Sequence, residues 1–179
     1  DGQPFYATGA SLIFSGIIQL VISELPKICV IVFVVIFITL LAGFRNLKDA
    51  VILQMVSLVT LLLSTGCMAL ADIPYNFFNV IVLATVFGMS VDAAVHILVH
   101  LKEEGVNPQT MESVAKAVGG AILTTVLGFV TLKLSWHPGL NSLGDVALIC
   151  LTFNLLVSLV LLPAFLVWQS QKVGKAASR

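Results

Sequence analysis

One carboxylic acid lies inside an otherwise apolar part of the sequence. Asp92 falls in the run 77–101, and His96 follows it four residues later. Insertion scales put the free-energy cost of an Asp at the centre of a membrane-spanning helix at roughly 2.5–3.5 kcal/mol. An acid in such a place can take a proton from one side of a membrane and release it to the other, and an imidazole one helical turn away suits the same step. The alternatives are a structural Asp held by hydrogen bonds between helices and a histidine that only packs.

Two stripes of small and polar residues belong to the predicted helices around this acid. At about 100° per residue, the helix at 77–101 carries the Asp92 stripe on one narrow face, and Ser90 points away from it. The stripe consists of Thr85, Gly88, Asp92 and His96. The next helix carries the threonine stripe, which consists of Gly120, Thr124, Gly128 and Thr131. Small residues at four-residue spacing let helices approach closely, so we expect the two stripes to face each other, with hydroxyls near the carboxylate.

The composition defines the class of protein. Of the 179 residues, 59% are hydrophobic and 10% are charged, and the formal net charge is zero. A soluble domain carries about 25% charged residues, and a nucleic-acid-binding protein needs a basic surface. The sequence therefore predicts an all-α, polytopic membrane helix bundle with no nucleic-acid partner.

Five hydrophobic stretches are each long enough for a spanning helix, which takes about 20 residues. They cover 25–44, 50–71, 77–101, 115–134 and 143–168, within a transmembrane domain at 25–171. Residues 1–24 are predicted to end an extracytoplasmic domain with a connecting or interfacial helix, and 172–179 to form a cytoplasmic tail. We favour a first helix that projects beyond the membrane over an interfacial segment at 11–24 that bends at Pro26.

The basic residues indicate the orientation in the membrane. If the connection at 45–49 is cytoplasmic, seven basic residues share its side and only Lys27 and Lys133 remain outside. The seven are Arg45, Lys48, Lys102, Lys116, Lys172, Lys175 and Arg179. The excess of basic residues in cytoplasmic loops then predicts an N-terminal end outside and a C-terminus inside. Because the chain opens at Asp1 with no signal peptide, we expect it to be an internal piece of a longer polypeptide.

Catalytic and metal-binding motifs do not stand out. The sequence has no GxSxG, no HExxH and no P-loop. Asp92 and His96 could share a metal, but no third ligand lies nearby in sequence, and Cys29, Cys67 and Cys150 all fall in apolar runs. The sequence therefore predicts no catalytic residue, no metal site, no cofactor and no enzyme.

An ordered set of motifs resembles one family of transporters. The sequence GMSVD at 88–92, followed by His96, is similar to the GxxxD motif in the fourth and tenth helices of RND-superfamily transporters, above all the MMPL and hopanoid-exporter branches. Further similar segments are Thr8-Gly9, IPYNFFN at 73–79, GAILTT at 120–125 with Gly128-Phe129, LG at 143–144 and LPA at 162–164. The set covers essentially the whole chain in the expected order.

The resemblance implies helices eight to twelve of a twelve-helix transporter in the bacterial inner membrane, half of an RND-type transmembrane domain. Members of this kind export hydrophobic or amphipathic compounds, driven by proton flux through carboxylates of the fourth and tenth helices. By position, Asp92 is the proton-relay carboxylate, and Thr124 and Thr125 occupy hydroxyl positions facing it. Many MMPL-like members have Tyr after this Asp, whereas this chain has Ala93, which weakens any relay that needs a phenol there.

The expected function is therefore the C-terminal transmembrane part of a proton-motive-force-driven exporter of lipids or other hydrophobic molecules. In this interpretation His96, Thr85 and Gly88 support the relay. The partners would be the N-terminal half of the same polypeptide, protons, membrane lipid and a hydrophobic substrate, in a monomer or a homo-oligomer. Two alternatives use the same helices: a non-transporting sterol- or lipid-sensing receptor, and an accessory subunit that exports polypeptide.

Overall fold

The computed structural model describes residues 10–74 and 76–168, which form five helices and no strand. The helices are α1 (Ala10–Phe44), α2 (Leu47–Leu70), α3 (Phe77–Glu104), α4 (Pro108–Lys133) and α5 (Pro138–Leu156). The last helix continues through a π-helical turn, Val157–Leu161, to residue 168. Each of the five is long and apolar enough to cross a membrane, so the prediction of an all-α membrane bundle is confirmed. The predicted start of the chain at 1–9 and its tail at 172–179 lie outside the described residues.

Asparagine side chains define where three of the helices begin. Asn46 Oδ1 accepts a hydrogen bond from the Lys48 backbone N–H at the start of α2. Asn76 and Asn107 do the same for α3 and α4, with bonds of 2.9 and 2.8 Å from backbone N–H groups three residues later. Capping satisfies N–H groups that have no partner within the helix, and therefore each short polar connection sets the first turn of the next helix.

The helices of the structure extend beyond the predicted spans. The polar stretch 102–116 lies between the third and fourth predicted spans, yet α3 runs to Glu104 and α4 is one helix from Pro108. Only residues 105–107 connect them. Hydropathy identifies the part of a helix that suits lipid, whereas a helix continues into water as long as its backbone hydrogen bonds persist.

The first helix is unusually long. Its 35 residues correspond to about 52 Å at 1.5 Å per residue, well above the roughly 30 Å of the hydrocarbon layer. The helical residues continue through Pro26 without a break, as a projecting helix requires. Only 6% of its Lys27–Phe44 segment is buried, because α1 packs mainly against α2 at the edge of the bundle.

The last helix is at the centre of the bundle, where it contacts α2, α3 and α4. Its π-helical turn ends with a hydrogen bond from the Leu162 N–H to the Val157 carbonyl, five residues back. Pro163 follows immediately, and a proline ring clashes with the carbonyl four residues before it and has no N–H to donate. The widened turn accommodates Pro163 inside a helix that remains continuous.

Two ion pairs connect helices at opposite ends of the bundle. Lys102 of α3 pairs with Asp49 of α2, and Lys133 of α4 pairs with Asp145 of α5. Next to the second pair, α4 and α5 are in very close contact. A Cβ atom added to Gly144 would lie 2.8 Å from the Lys133 backbone nitrogen, so only glycine fits this approach without movement of the backbone.

We predict that Gly144→Ala lowers the free energy of unfolding by about 1–3 kcal/mol, the usual effect of overpacking. The matched control is Gly66→Ala in α2, where nothing lies within 4 Å of an added Cβ. Alanine exceeds glycine in helix propensity by about 1 kcal/mol, so this control should be neutral or slightly stabilising. Thermal unfolding in detergent measures both variants. Equal stability of the two would contradict the close approach of α4 and α5.

Candidate functional site

An open groove of about 380 Å³ lies between α3 and α4, with α5 at its base. Most of its lining is apolar, and four side chains provide polar atoms: Asp92, His96, Thr125 and Asn154. The apolar lining consists of Met89, Ala93, Ala117, Val118, Ala121 and Ile122. The groove therefore brings an acid, an imidazole, a hydroxyl and an amide together on one side of the bundle.

The rotation of α3 places the acid in this groove. Val91 and Ala94 are buried in the core, whereas Asp92 and His96 are exposed on the opposite side of the helix. Ser90 is fully buried, and its hydroxyl donates to the Phe87 carbonyl at 2.8 Å. The prediction that Asp92 and His96 share a face from which Ser90 points away is therefore confirmed.

The helix that carries Asp92 cannot satisfy its carboxylate. A hydroxyl can donate to a carbonyl of its own helix, as Thr85 does to Ile81 at 2.8 Å. An ionised carboxylate only accepts hydrogen bonds, and the N–H groups inside a helix already bond to carbonyls four residues earlier. Among the residues that the structure describes, Asp92 has neither a hydrogen-bond partner nor an ion-pair partner.

The predicted packing of the two stripes against each other is wrong. All four members of the threonine stripe are exposed, as are Thr85, Asp92 and His96 of the other stripe. Helix α4 instead buries Val114, Val118 and Ile122, whose side chains make many more van der Waals contacts than glycine can. Most of both stripes therefore lies on the surface of the bundle.

The remaining predicted site residues are divided between the groove and the surface beside it. Thr125 lines the groove, and its hydroxyl donates to the Ala121 carbonyl at 3.0 Å. Thr124 donates to the same carbonyl at 2.8 Å but does not line the groove. Gly88 has no atom within 4 Å of an added Cβ, so it leaves open space on the face that carries Asp92. Ala93 lines the groove next to the acid and contributes no hydroxyl there.

Asn154 is a polar residue of the groove that the sequence did not assign to the site. It is fully buried, and its Oδ1 accepts a hydrogen bond of 3.1 Å from Ser158 in the π-helical turn. Its Nδ2 has no hydrogen-bond partner within the described part of the chain. In the sequence, Asn154 stands out only as an amide inside the last apolar run, and such an amide is ordinarily explained by hydrogen bonding between helices. The structure instead leaves the amide nitrogen of this side chain unpaired at the base of the groove.

The histidines of α3 extend the polar face away from the groove. The rings of His96 and His100 stack with centroids 5.7 Å apart and planes 25° apart. The His100 Nε2 atom lies 3.4 Å from Glu104 Oε1, near the end of the helix. No group of three or more His, Cys, Asp or Glu side chains suited to a metal ion occurs among residues 10–74 and 76–168.

Comparison with known proteins identifies the family. The family model described as MMPL matches residues 1–179. The chain belongs to the MMPL family. This confirms the resemblance that the GxxxD motif and the accompanying segments predicted, and the MMPL chain is a multi-pass membrane protein with five spanning helices in its described part.

Two relatives of this MMPL chain are much longer than it is. It is 27% identical over 146 residues to the putative membrane protein MJ1562 of Methanocaldococcus jannaschii. The aligned region covers 77% of this chain and 38% of that protein. It is 26% identical over 122 residues to the hopanoid transporter HpnN of Rhodopseudomonas palustris. Here the aligned region covers 68% of this chain and 14% of that protein. The chain thus spans well under half the length of either relative.

We predict that Ile122→Ala lowers the free energy of unfolding by about 2 kcal/mol or more, the usual effect of emptying a packed site. Ile122 is 5% exposed, whereas its neighbour Leu123 is 59% exposed. Leu123→Ala is therefore the matched control and should change stability little. Thermal unfolding in detergent compares the two. A larger loss for Leu123→Ala would mean that α4 packs through its other face.

Proposed function

We propose that this chain is the C-terminal transmembrane part of a proton-motive-force-driven exporter of lipids or other hydrophobic molecules, with Asp92 as the proton-relay carboxylate. The observation that carries the proposal is an unpaired acid in an open groove of a membrane-spanning bundle, beside His96. Membership in the MMPL family and similarity to a hopanoid transporter support the transport of hydrophobic molecules.

The open face supports the existence of a further polar partner. Asp92, His96 and the threonine stripe lie on the surface of the five helices, and hydrocarbon offers no hydrogen bonds to such groups. We infer that the N-terminal half of the same polypeptide covers this face and supplies groups opposite Asp92. The small residues of both stripes allow the helices of that half to come close.

The proposed cycle converts a change of charge into a movement of helices. Ionised Asp92 attracts donors on the covering half, and protonated Asp92 loses most of that attraction. One charge that crosses a potential of 100 mV supplies about 2.3 kcal/mol, so a few protons per cycle suffice to drive rocking of one half against the other. Helix α1, at about 52 Å, is long enough to carry the motion out of the membrane to an extracytoplasmic domain.

The proposed location is the inner (plasma) membrane, with the N-terminal end periplasmic and the C-terminus cytoplasmic. Arg45, Lys48 and Lys102 lie at the same end of the bundle as the Asp49–Lys102 ion pair. Lys133 lies at the other end, in its pair with Asp145. This distribution of described basic residues fits the excess of positive charge on the cytoplasmic side.

We predict that Asp92→Asn abolishes export, because an amide of the same shape cannot carry a proton. The full-length protein is reconstituted in vesicles with an internal pH dye and a fluorescent lipid analogue, and both fluxes are followed after an imposed proton gradient. The matched control is Asp72→Asn, the same chemical change at an exposed position after α2. Its φ of 52° suits Asn as well as Asp.

Three outcomes separate the proposal from its alternatives. Loss of both fluxes in Asp92→Asn, with both retained in Asp72→Asn, supports the relay. Lipid binding without any proton flux in the unaltered protein would contradict transport and would indicate a sensing receptor. Full export by Asp92→Asn would contradict a relay through this carboxylate.

A further inference from the structure

Four polar side chains occupy successive fourth positions of α3, and we call them the α3 ladder. It consists of Asp92, His96, His100 and Glu104. Residues four apart lie one above the other on a helix, and twelve residues span about 18 Å. The series therefore extends from the groove to the last residue of α3.

Two contacts and a shared groove connect the members of the ladder. His96 lines the groove together with Asp92, and its ring stacks on that of His100 at 5.7 Å. His100 in turn directs Nε2 to the Glu104 carboxylate at 3.4 Å. The His100 side chain is 30% exposed and that of Glu104 is 51% exposed, so access to water increases toward the end of the helix.

Most of the charged side chains near the ladder are paired with other groups. Lys102, on the same turn of α3, is engaged by Asp49 of α2. On α4, Glu112 and Lys116 pair with each other, and the Thr110 hydroxyl lies 3.4 Å from Glu104 Oε2. Within the described residues His100 is therefore the one cationic group paired with Glu104.

From this geometry we propose that His96, His100 and Glu104 form the cytoplasmic leg of the proton path. The proposal rests on the proposed function, in which Asp92 is the relay carboxylate. Imidazole can accept a proton at one ring nitrogen and release another from the second, and it changes charge near neutral pH. Water that bridges ring nitrogens can connect stacked rings that do not bond directly.

Each transfer balances in protons, and one passage returns His96, His100 and Glu104 to their starting charge, whereas Asp92 ends ionised and takes its next proton from the opposite side of the membrane. The Asp92 carboxyl gives its proton to His96 and becomes a carboxylate, and the His96 imidazolium passes a proton to His100. His100 delivers a proton to the Glu104 carboxylate, which releases it to cytoplasmic water. No bond to carbon forms or breaks, and no oxidant or reductant takes part.

The test measures proton flux in vesicles that contain the full-length protein and an internal pH dye. We expect His100→Ala to reduce the flux on the order of 100-fold, the lower range for loss of a positioned proton-transfer group. Added imidazole should restore much of that flux, because it replaces the missing base, whereas a residue with a purely structural role would not respond. The matched pair of carboxylate variants is Glu104→Gln, which should slow the flux, and Glu103→Gln, which should not.

The outcomes distinguish failure of the ladder from failure of the relay itself. Flux that is abolished by Asp92→Asn but unchanged in His100→Ala and Glu104→Gln overturns the ladder and leaves the proposed function intact. A His100→Ala variant that unfolds at the same temperature as the unaltered protein, loses its flux and is not restored by imidazole also overturns the ladder. Unchanged flux in Asp92→Asn overturns the relay on which the ladder depends.

Discussion

The structure depends on a single constraint: a hydrocarbon environment offers no hydrogen bonds, so each polar group at membrane depth must find a partner within protein. The hydroxyls of this chain meet the constraint locally. Ser57, Thr60 and Ser64 along α2 each donate to the carbonyl four residues earlier, and Thr152 does so in α5. An ionised carboxylate has nothing to donate, and therefore this local solution is closed to Asp92.

The bundle has two unlike sides. The core side of α3 and α4 is filled by Val91, Ala94, Val118 and Ile122, while the opposite side carries an acid, histidines and threonines beside an open groove. A five-helix unit that stood alone in lipid would gain nothing from such a face. A unit that docks against a second polar surface would be stabilised by such a face, because each partner would supply the hydrogen bonds that the other lacks. The proposed N-terminal half provides that surface and the proposed exporter makes use of it.

Hydropathy and helix geometry were enough to predict much of the fold and part of the site. Five apolar stretches gave five helices, since only helices satisfy the backbone of each segment on its own. The four-residue spacing of Asp92 and His96 required a common face whatever the surroundings. The ends of the helices were harder: the turns at 102–104 and 108–114 are polar yet helical, because capping by Asn107 and backbone bonding decide where a helix ends.

The rotation of α4 could not be predicted, because two of its faces are suited to helix packing. The stripe that contains Gly120 and Thr124 suits close approach, and the face of Val118 and Ile122 suits interdigitation of larger side chains. The structure uses the second for the core and leaves the first on the surface. The role of Asn154 was equally hidden, since its unpaired amide has meaning only once α5 is known to form the base of the groove.

In the proposed exporter, Asp92 gains and loses a proton as the protein works. Infrared difference spectroscopy on the full-length protein in lipid observes this directly, through the carbonyl band of a protonated carboxyl group, with Asp92→Asn to assign the band. We expect the Asp92 band to rise and fall when the proton gradient across the membrane is imposed and then collapsed. A carboxyl group that stays in one protonation state under every gradient would contradict it.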